Sequence, residues 1–330
     1  SGGLWLPGRR AGPAVRAVNG VSIEVRRGET LGIVGESGSG KSTLARMLVG
    51  LETPSSGLIR FAGREVGRRR TLDFHRKVQF VFQDPASALN PRKTIRQILD
   101  APLRHLLGLP HARRSARVEE LMDLVNLRPE FLERYPHELS GGQAQRIGIA
   151  RALAAEPELI VLDEPVSALD VSIQAQILNL LNGLKRRLGL AYVFISHDLA
   201  VVETLCDRVA VMYLGRIVEQ APREVLFGEP RHPYTRILLA SVPVPGRRRP
   251  EAAGLRGEPP NPASPPPGCP FEPRCYRAEP VCRERLPPLD PPLDPPLDTP
   301  LAPGGTGRLV ACHFADDSGL PDGTSQPRHG

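Results

Sequence analysis

A glycine-rich stretch near the start of the chain restricts its fold more than any other feature. Residues 35 to 43 read GESGSGKST, between the apolar run TLGIV and the helical pattern LARMLVG. A strand, a glycine loop and a helix in this order predict a turn whose backbone N–H groups point at a phosphate. Gly35, Gly38 and Gly40 permit this tight turn, because glycine adopts φ above zero at little steric cost.

The loop residues have predicted roles in binding a nucleotide. Lys41 would neutralise the β- and γ-phosphates, and Ser42 would ligate Mg²⁺. The other members would add backbone donors at the positive end of the following helix; they are Gly35, Glu36, Ser37, Gly38, Ser39, Gly40 and Thr43. The alternative is an ordinary glycine turn, which the flanking strand and helix disfavour.

An acidic pair follows a second apolar run. Residues 159 to 165 read LIVLDEP, which predicts a buried strand that ends in carboxylates at the carboxyl edge of a parallel sheet. Asp163 would hold Mg²⁺ through water, and Glu164 would orient and deprotonate the attacking water. The alternative, a strand followed by a solvated turn, is weakened by the phosphate loop in the same chain.

The order of apolar patterns indicates an α/β fold. From residue 15 to residue 228 short β-branched runs alternate with helical patterns, and buried strands are predicted at residues 30–34, 78–82, 159–162, 192–195 and 209–213. Residues 89–155 are mostly helical and predict a helical subdomain inserted into the sheet domain. We therefore expect a nucleotide-binding domain at residues 1–230.

Residues 231–330 differ in composition. More than half of the chain's 36 prolines lie between Pro243 and Pro303, where a regular helix or a central strand is disfavoured. The repeat PPLDPPLDPPLD at residues 287–298 is too short for a solenoid and predicts an extended spacer. This region is expected to form a separate, loop-rich appendage.

Net charge, aromatic content and hydropathy restrict the classes of partner that this chain can bind. The formal net charge of +7 favours an anionic partner without choosing among nucleotide, nucleic acid and membrane surface. Aromatic residues make up 5% of the chain, which argues against a platform that stacks single-stranded nucleic acid. No apolar run approaches the roughly 20 residues that cross a bilayer. We expect a cytoplasmic chain that reaches a membrane through a partner subunit.

Four further motifs follow a set order. They are VFQDP around Gln83, LSGGQ at residues 139–143, SALD at residues 167–170 and ISHD around His197. Together with the loop and the acidic pair they resemble the ABC ATPase family over residues 15 to 228, in which LSGGQ is the signature sequence. The resemblance implies a RecA-like P-loop NTPase core, hydrolysis of ATP with Mg²⁺, and a head-to-tail dimer with a second, identical or paralogous, ATPase subunit.

In that dimer the signature is expected to act across the interface. Its residues would approach the γ-phosphate held by the loop of the other protomer, with Ser140 and Gly142 in contact; the set is Ser140, Gly141, Gly142 and Gln143. The contact is physically sensible, because the serine and glycines open a helix and offer backbone donors to an anion.

Three polar side chains complete the implied site. Gln83 would sense the metal and the attacking water and link the site to a membrane subunit. His197 would contact the γ-phosphate and hold Glu164 in place, and Asp170 would lie at the dimer seam. A lone Gln, His or Asp is more often structural than catalytic, and their order among the other motifs favours the functional interpretation.

Two longer segments resemble one subfamily of ABC ATPases. FQDPASALNPRKTIRQIL at residues 82–99 and RHPYTRILLASVP at residues 231–243 resemble peptide and nickel importer ATPases. This implies two transmembrane permease subunits, an extracytoplasmic substrate-binding protein and a place on the cytoplasmic face of a bacterial membrane. Peptide import is the favoured prediction. The alternatives are nickel or glutathione import, a soluble ABC ATPase acting on nucleic acid or the ribosome, and a degenerate cassette that only binds ATP.

Four cysteines cluster in the C-terminal region, at Cys269, Cys275, Cys282 and Cys312. In a cytosolic protein such clustering favours a metal over disulfides, since cytosolic thiols stay reduced. In peptide-importer ATPases this arrangement resembles a site for a four-iron, four-sulfur cluster. Zinc and unligated thiols are the alternatives, and Cys206 is expected to be a buried apolar residue.

The family's aromatic residue that stacks on adenine has a poor match. Trp5 is the candidate that precedes residues 15–25, and it could equally be a packing or disordered residue.

Overall fold

The computed structural model describes residues 15–241, 257–289 and 307–315; Trp5 and most of the PPLD repeat lie outside them. The strands are β1 (Thr30–Val34), β2 (Arg60–Phe61), β3 (Arg64–Glu65), β4 (Val78–Val81), β5 (Leu159–Asp163), β6 (Ala191–Ser196), β7 (Arg208–Tyr213), β8 (Arg216–Pro222) and β9 (Leu309–Val310).

The helices are α1 (Lys41–Leu48), α2 (Leu72–Lys77), α3 (Pro85–Ala88), α4 (Ile95–His105), α5 (His111–Leu124), α6 (Gly141–Leu153), α7 (Val171–Leu188), α8 (Leu199–Leu205), α9 (Arg223–Gly228), α10 (Pro233–Ala240) and α11 (Pro280–Glu284). Among the described residues, none of these helices has the length and apolarity to cross a bilayer.

The described strands form a mixed sheet of seven strands in the order β4-β5-β6-β1-β7-β8-β9, beside a β2-β3 hairpin. The first five strands of this order, including β1, are parallel to one another. Strands β8 and β9 are antiparallel additions at one edge. The α/β prediction is confirmed, and each predicted strand is present within one residue at either end. Phe82, predicted to lie in a strand, follows the end of β4.

Each parallel strand buries both of its faces, as expected for a sheet covered by helices. Along β6, Tyr192 and Phe194 face one hydrophobic cluster, whereas Val193 and Ile195 face another on the opposite side. The same alternation holds in β7. The carboxyl ends of the parallel strands therefore lie at one rigid edge, where the loops that follow them meet.

Residues 89–155 are helical, as predicted. They contain α4, α5 and α6 with 3₁₀ turns at Pro129–Glu133 and Pro136–Glu138. The helices share a core that includes Leu99, Leu121 and Ile147, each fully buried. Helix α4 begins with a capping box between Thr94 and Gln97, which satisfies backbone groups at its first turn.

The C-terminal region packs against the sheet, in contrast to the separate appendage expected from its composition. Strand β9 pairs with β8, and Cys269, Phe271 and Cys282 belong to the hydrophobic cluster that covers the sheet. A short helix, α11, also forms in the proline-rich region, because Pro280 occupies its first turn, where a missing N–H costs nothing. Composition alone misses both features.

The close approach of α8 to β1 leads to a stability prediction. A Cβ on Gly32 would lie 2.7 Å from Cys206 Sγ and 3.0 Å from Val202 Cγ1. Gly32→Ala is expected to destabilise the protein by about 1–3 kcal/mol in urea denaturation, because a packed core resists added volume. Removing the clashing sulfur with Cys206→Ala in the same chain should recover part of this loss.

The matched control is Gly183→Ala in the middle of α7, where an added Cβ meets no heavy atom within 4 Å. Alanine favours a helix over glycine by about 1 kcal/mol, so this change should be neutral or stabilising. Strictly additive effects of Gly32→Ala and Cys206→Ala would contradict the steric explanation.

Candidate active site

The phosphate loop connects β1 to α1, as the sequence predicts. Gly40 occupies the N-cap position of α1 at φ 103°, and as a glycine it has no side chain that could cap the helix. A Cβ there would lie 2.1 Å from the carbonyl oxygen of Ala17, so glycine is required for this turn. The first N–H groups of the helix therefore remain available to an anion, which fits the phosphates of a nucleotide.

Lys41 lies buried at the centre of this loop. Its Nζ donates to the carbonyl oxygens of Gly35 and Glu36, both at 2.8 Å, and lies 3.4 Å from Ser39 Oγ. Burial lowers the pKa of Lys41, whereas the nearby carboxylates of Glu164, Asp163 and Glu36 oppose this shift. A desolvated cation held this way attracts phosphate strongly, because the low local dielectric strengthens charge interactions.

Ser42 and Asp163 meet beside the loop. Ser42 Oγ donates to Asp163 Oδ1 at 3.1 Å. Burial raises the pKa of Asp163, and the hydrogen bond from Ser42 acts in the opposite direction. A hydroxyl and a carboxylate form a hard oxygen pair that suits Mg²⁺.

Glu164 is held by partners from both neighbouring strands. Gln83 Nε2, after β4, donates to Glu164 Oε2 at 3.1 Å. His197 Nδ1, after β6, lies 3.2 Å from Glu164 Oε1. The sequence places Gln83, Glu164 and His197 in three separate motifs. The strand order β4-β5-β6 brings their side chains together.

The backbone at Glu164 is also unusual. Its φ is +47°, a left-handed conformation that non-glycine residues rarely adopt, and its N–H donates to the carbonyl oxygen of Ile195. Such strain persists only where the surroundings impose it, and it is frequent in active sites. The turn directs the carboxylate toward the phosphate loop rather than along the strand.

An open cavity of about 530 Å³ contains these groups. Its lining includes Ser37, Lys41, Thr43, Gln83, Glu164 and His197. The lining also includes Arg16, Leu214 and Pro262, which belong to no predicted motif. The volume is in the range of small-molecule sites and accommodates a nucleotide.

The signature residues lie away from this cavity. Ser140 Oγ accepts from Gln143 N–H, and Ser140 N–H donates to Gln143 Oε1, so the pair forms a capping box at the start of α6. A Cβ on Gly142 would lie 2.6 Å from Ile173 in α7, and Asp170 is the residue at the N-cap position of that helix. Among the described residues, the signature and Asp170 therefore form a second group that is separate from the loop.

The four C-terminal cysteines line one small cavity of about 10 Å³. Cys275 Sγ accepts from Arg277 N–H and Cys312 Sγ accepts from Phe314 N–H. Burial raises the pKa of Cys269 to about 12 and that of Cys275 to about 11, and it also raises the pKa of Cys312. Within the described ranges, no three His, Cys, Asp or Glu side chains are placed to hold a metal ion. Cys206 is buried in the sheet core, as predicted.

Two side chains from the C-terminal region reach the phosphate loop, and no motif in the sequence predicts these contacts. Arg274 pairs with the carboxylate of Glu36, and Tyr234 Oη accepts from Glu36 N–H. Arg274 lies between Cys269 and Cys275, in the segment whose cysteine pattern predicts a metal site.

Two family profiles match parts of this sequence. The sequence profile of the family described as "ABC transporter" matches residues 18–167. The profile described as "Oligopeptide/dipeptide transporter, C-terminal region" matches residues 218–282.

Two relatives have similar length and sequence. The oligopeptide transport ATP-binding protein AppF of Bacillus subtilis is 51% identical, over 83% of this chain and 85% of that protein. The dipeptide transport ATP-binding protein DppF of Haemophilus influenzae is 48% identical, over 92% of this chain and 90% of that protein.

Solved structures share the fold. CbiO1 from Clostridium perfringens, part of the ABC transporter complex CbiONQ, aligns with a TM-score of 0.60 at 31% identity, over 64% of this chain and 84% of that chain. The ATP-binding cassette MJ0796, a dimer bound to ADP and phosphate, aligns with a TM-score of 0.59 at 29% identity, over 66% and 94%. The chain therefore belongs to the ABC transporter family of ATP-hydrolysing subunits, and it carries that family's oligopeptide/dipeptide transporter C-terminal region.

Proposed function

We propose that this chain hydrolyses ATP to power the import of peptides by a membrane ABC transporter. The observation that carries the proposal is the arrangement around Glu164, whose two carboxylate oxygens contact Gln83 and His197 beside the Lys41 loop. A degenerate cassette would not need a base held in this way. The names of AppF and DppF, together with the C-terminal profile, favour peptides over nickel.

Each residue of the site has a separate role in ATP hydrolysis. Glu164 accepts a proton from the attacking water, and Gln83 and His197 keep the carboxylate aimed at that water. Lys41 and the N–H groups of residues 35–43 hold the phosphates and stabilise their charge. Bound Mg²⁺ supplies additional charge neutralisation, and Ser42, Asp163 and Gln83 are the residues that would hold it.

The signature residues act on a second copy of the cassette. Ser140 to Gln143 and Asp170 lie outside the cavity of their own chain, and the MJ0796 cassette forms a dimer. In our proposal they complete the site of a partner ATPase subunit. ATP binding then joins two half-sites, and loss of phosphate after hydrolysis lets them part.

The complex contains more than the two ATPase subunits. Two transmembrane permease subunits and an extracytoplasmic substrate-binding protein are the expected partners, with this chain on the cytoplasmic face of a bacterial membrane. Residues 1–230, with the helical subdomain at about 89–155, form the ATPase domain, and residues 231–330 form the importer-type extension.

Gentle purification of the tagged, full-length chain from membranes tests this assembly. Co-purified permease subunits, with ATPase activity that rises when the binding protein and a peptide are added, are the expected result. Stimulation by nickel but not by peptide would select the alternative substrate. Recovery with nucleic acid and without permease subunits would contradict the transport function.

On the resemblance to peptide-importer ATPases, we propose that the four cysteines hold a four-iron, four-sulfur cluster, although within the described residues their side chains are not placed to hold a metal ion. All four cysteines line one cavity, and the sulfurs of Cys275 and Cys312 accept backbone N–H donors that would stabilise a thiolate ligand. Cysteine ligation suits such a cluster.

Metal and sulfide analysis tests this proposal. The anaerobically purified, full-length chain is expected to contain about four iron and four sulfide per chain, with Cys312→Ser losing both. Cys206→Ser, which changes the cysteine in the sheet core, is the control and should keep them. Zinc without sulfide would indicate the alternative metal. The absence of iron, sulfide and zinc would contradict the cluster and indicate unligated thiols.

A further inference from the structure

An arginine from the cysteine-bearing region contacts the phosphate loop. Arg274 Nη1 donates to Glu36 Oε2 at 2.8 Å, and Nη2 donates to Oε1 at 3.1 Å. The Arg274 side chain is 5% exposed and that of Glu36 is 23% exposed. Two parallel charge-assisted bonds in a mostly buried setting fix both position and direction.

Glu36 transmits this constraint to Lys41. Its carbonyl oxygen accepts from Lys41 Nζ at 2.8 Å, and its N–H donates to Tyr234 Oη at 2.9 Å. The carboxylate, the N–H and the carbonyl of Glu36 are thus each engaged. Two of these three contacts come from residues beyond position 230, so the C-terminal region orients the second residue of the loop.

Arg274 is itself held firmly. Its guanidinium lies 3.3 Å from Tyr213 Oη, and the rings of Tyr213, Tyr234 and Phe271 pack against one another at centroid distances of 4.7 to 5.3 Å. Backbone bonds from Glu272 to Cys269 and from Cys275 to Glu272 close the turn that carries it. The position of Arg274 therefore depends on the loop between two of the clustered cysteines.

We propose that Arg274 is a positioning residue for ATP binding. Through its paired bonds to Glu36 it holds the phosphate loop, and with it the ammonium of Lys41, in the conformation that receives the phosphates. The role rests on the proposed ATPase function and extends it, because it connects the cysteine loop to the nucleotide site by a direct contact.

Nucleotide titration and steady-state kinetics of the full-length chain test this role. Arg274→Gln is expected to raise the Kd and the KM for Mg-ATP about tenfold, equivalent to about 1.4 kcal/mol. The kcat at saturating ATP should change less than about twofold, because Arg274 affects binding of substrate and transition state alike. Arg274→Lys should give an intermediate Kd, since an ammonium keeps the charge but lacks the paired geometry.

The matched control is Arg283→Gln. Arg283 pairs with Glu272 in the same region, but its side chain is 76% exposed and Glu272 lies outside the phosphate loop. Its loss should leave the Kd unchanged. In a double-mutant cycle, Glu36→Gln should weaken binding less in the Arg274→Gln background than in wild type, because the two residues act as one pair.

An unchanged Kd in Arg274→Gln, or an equal rise in Arg283→Gln, would overturn the positioning role. If Arg274→Gln does not fold, a wild-type Kd in Arg274→Lys overturns it instead. A wild-type chain that fails to bind Mg-ATP would reject the proposed function itself, which keeps the two failures distinct.

Discussion

Glu164→Gln is expected to bind Mg-ATP with near-normal affinity but to hydrolyse it at least about a hundredfold more slowly than wild type. The amide keeps the size of the carboxylate and can still contact Gln83 and His197, so the cavity should persist. It lacks the basicity that water deprotonation requires. Phosphate release at saturating ATP measures the rate, and nucleotide titration measures the affinity.

Glu158→Gln provides the matched control for this experiment. Glu158 immediately precedes β5, at the opposite end of the strand from Glu164, and it pairs with Arg27 and Lys77. The same chemical change there should leave hydrolysis unaltered. Unchanged turnover in Glu164→Gln would reject Glu164 as the base.

Lys41→Ala is expected to weaken binding of Mg-ATP by about tenfold to a hundredfold. Hydrogen bonds to a charged group contribute about 1.5–3 kcal/mol each, and Lys41 is the buried cation of the loop region. A thermal shift assay gives a sensitive readout, because a ligand that binds the native state stabilises it. Mg-ATP should raise the Tm of wild type much more than that of the variant.

Through charge alone, the free Lys41→Ala protein should be at least as stable as wild type. Burial lowers the pKa of Lys41, so the folded state disfavours the charged ammonium relative to the unfolded chain at neutral pH. Lys77→Ala is the control, since Lys77 pairs with Asp73 and Glu158 at the end of α2. Equal nucleotide-induced Tm shifts in Lys41→Ala and wild type would contradict the assigned role.

Local patterns predicted much of the ATPase core. The run at residues 30–34 forms β1 with the predicted ends, and the acidic pair lies at the end of β5 as expected, with Asp163 as its last residue. These elements are readable because a buried strand needs a continuous apolar run and a phosphate loop needs glycine at defined positions. Strand β8 is not among the predicted strands, because RIVEQAP contains the polar residues Glu219 and Gln220, which are buried in the folded sheet.

The sequence alone determined the groups available for chemistry: a loop that can hold phosphate, acids at the end of a strand, and a signature that starts a helix. The tertiary structure decided which of them meet. Gln83 and His197 contact Glu164 because β4 and β6 flank β5, and Arg274 reaches Glu36 because the C-terminal region packs on the sheet. The physical reason is that local patterns encode which backbone states and side chains are favoured, whereas strand order and the burial of an ion pair depend on packing between residues far apart in the chain.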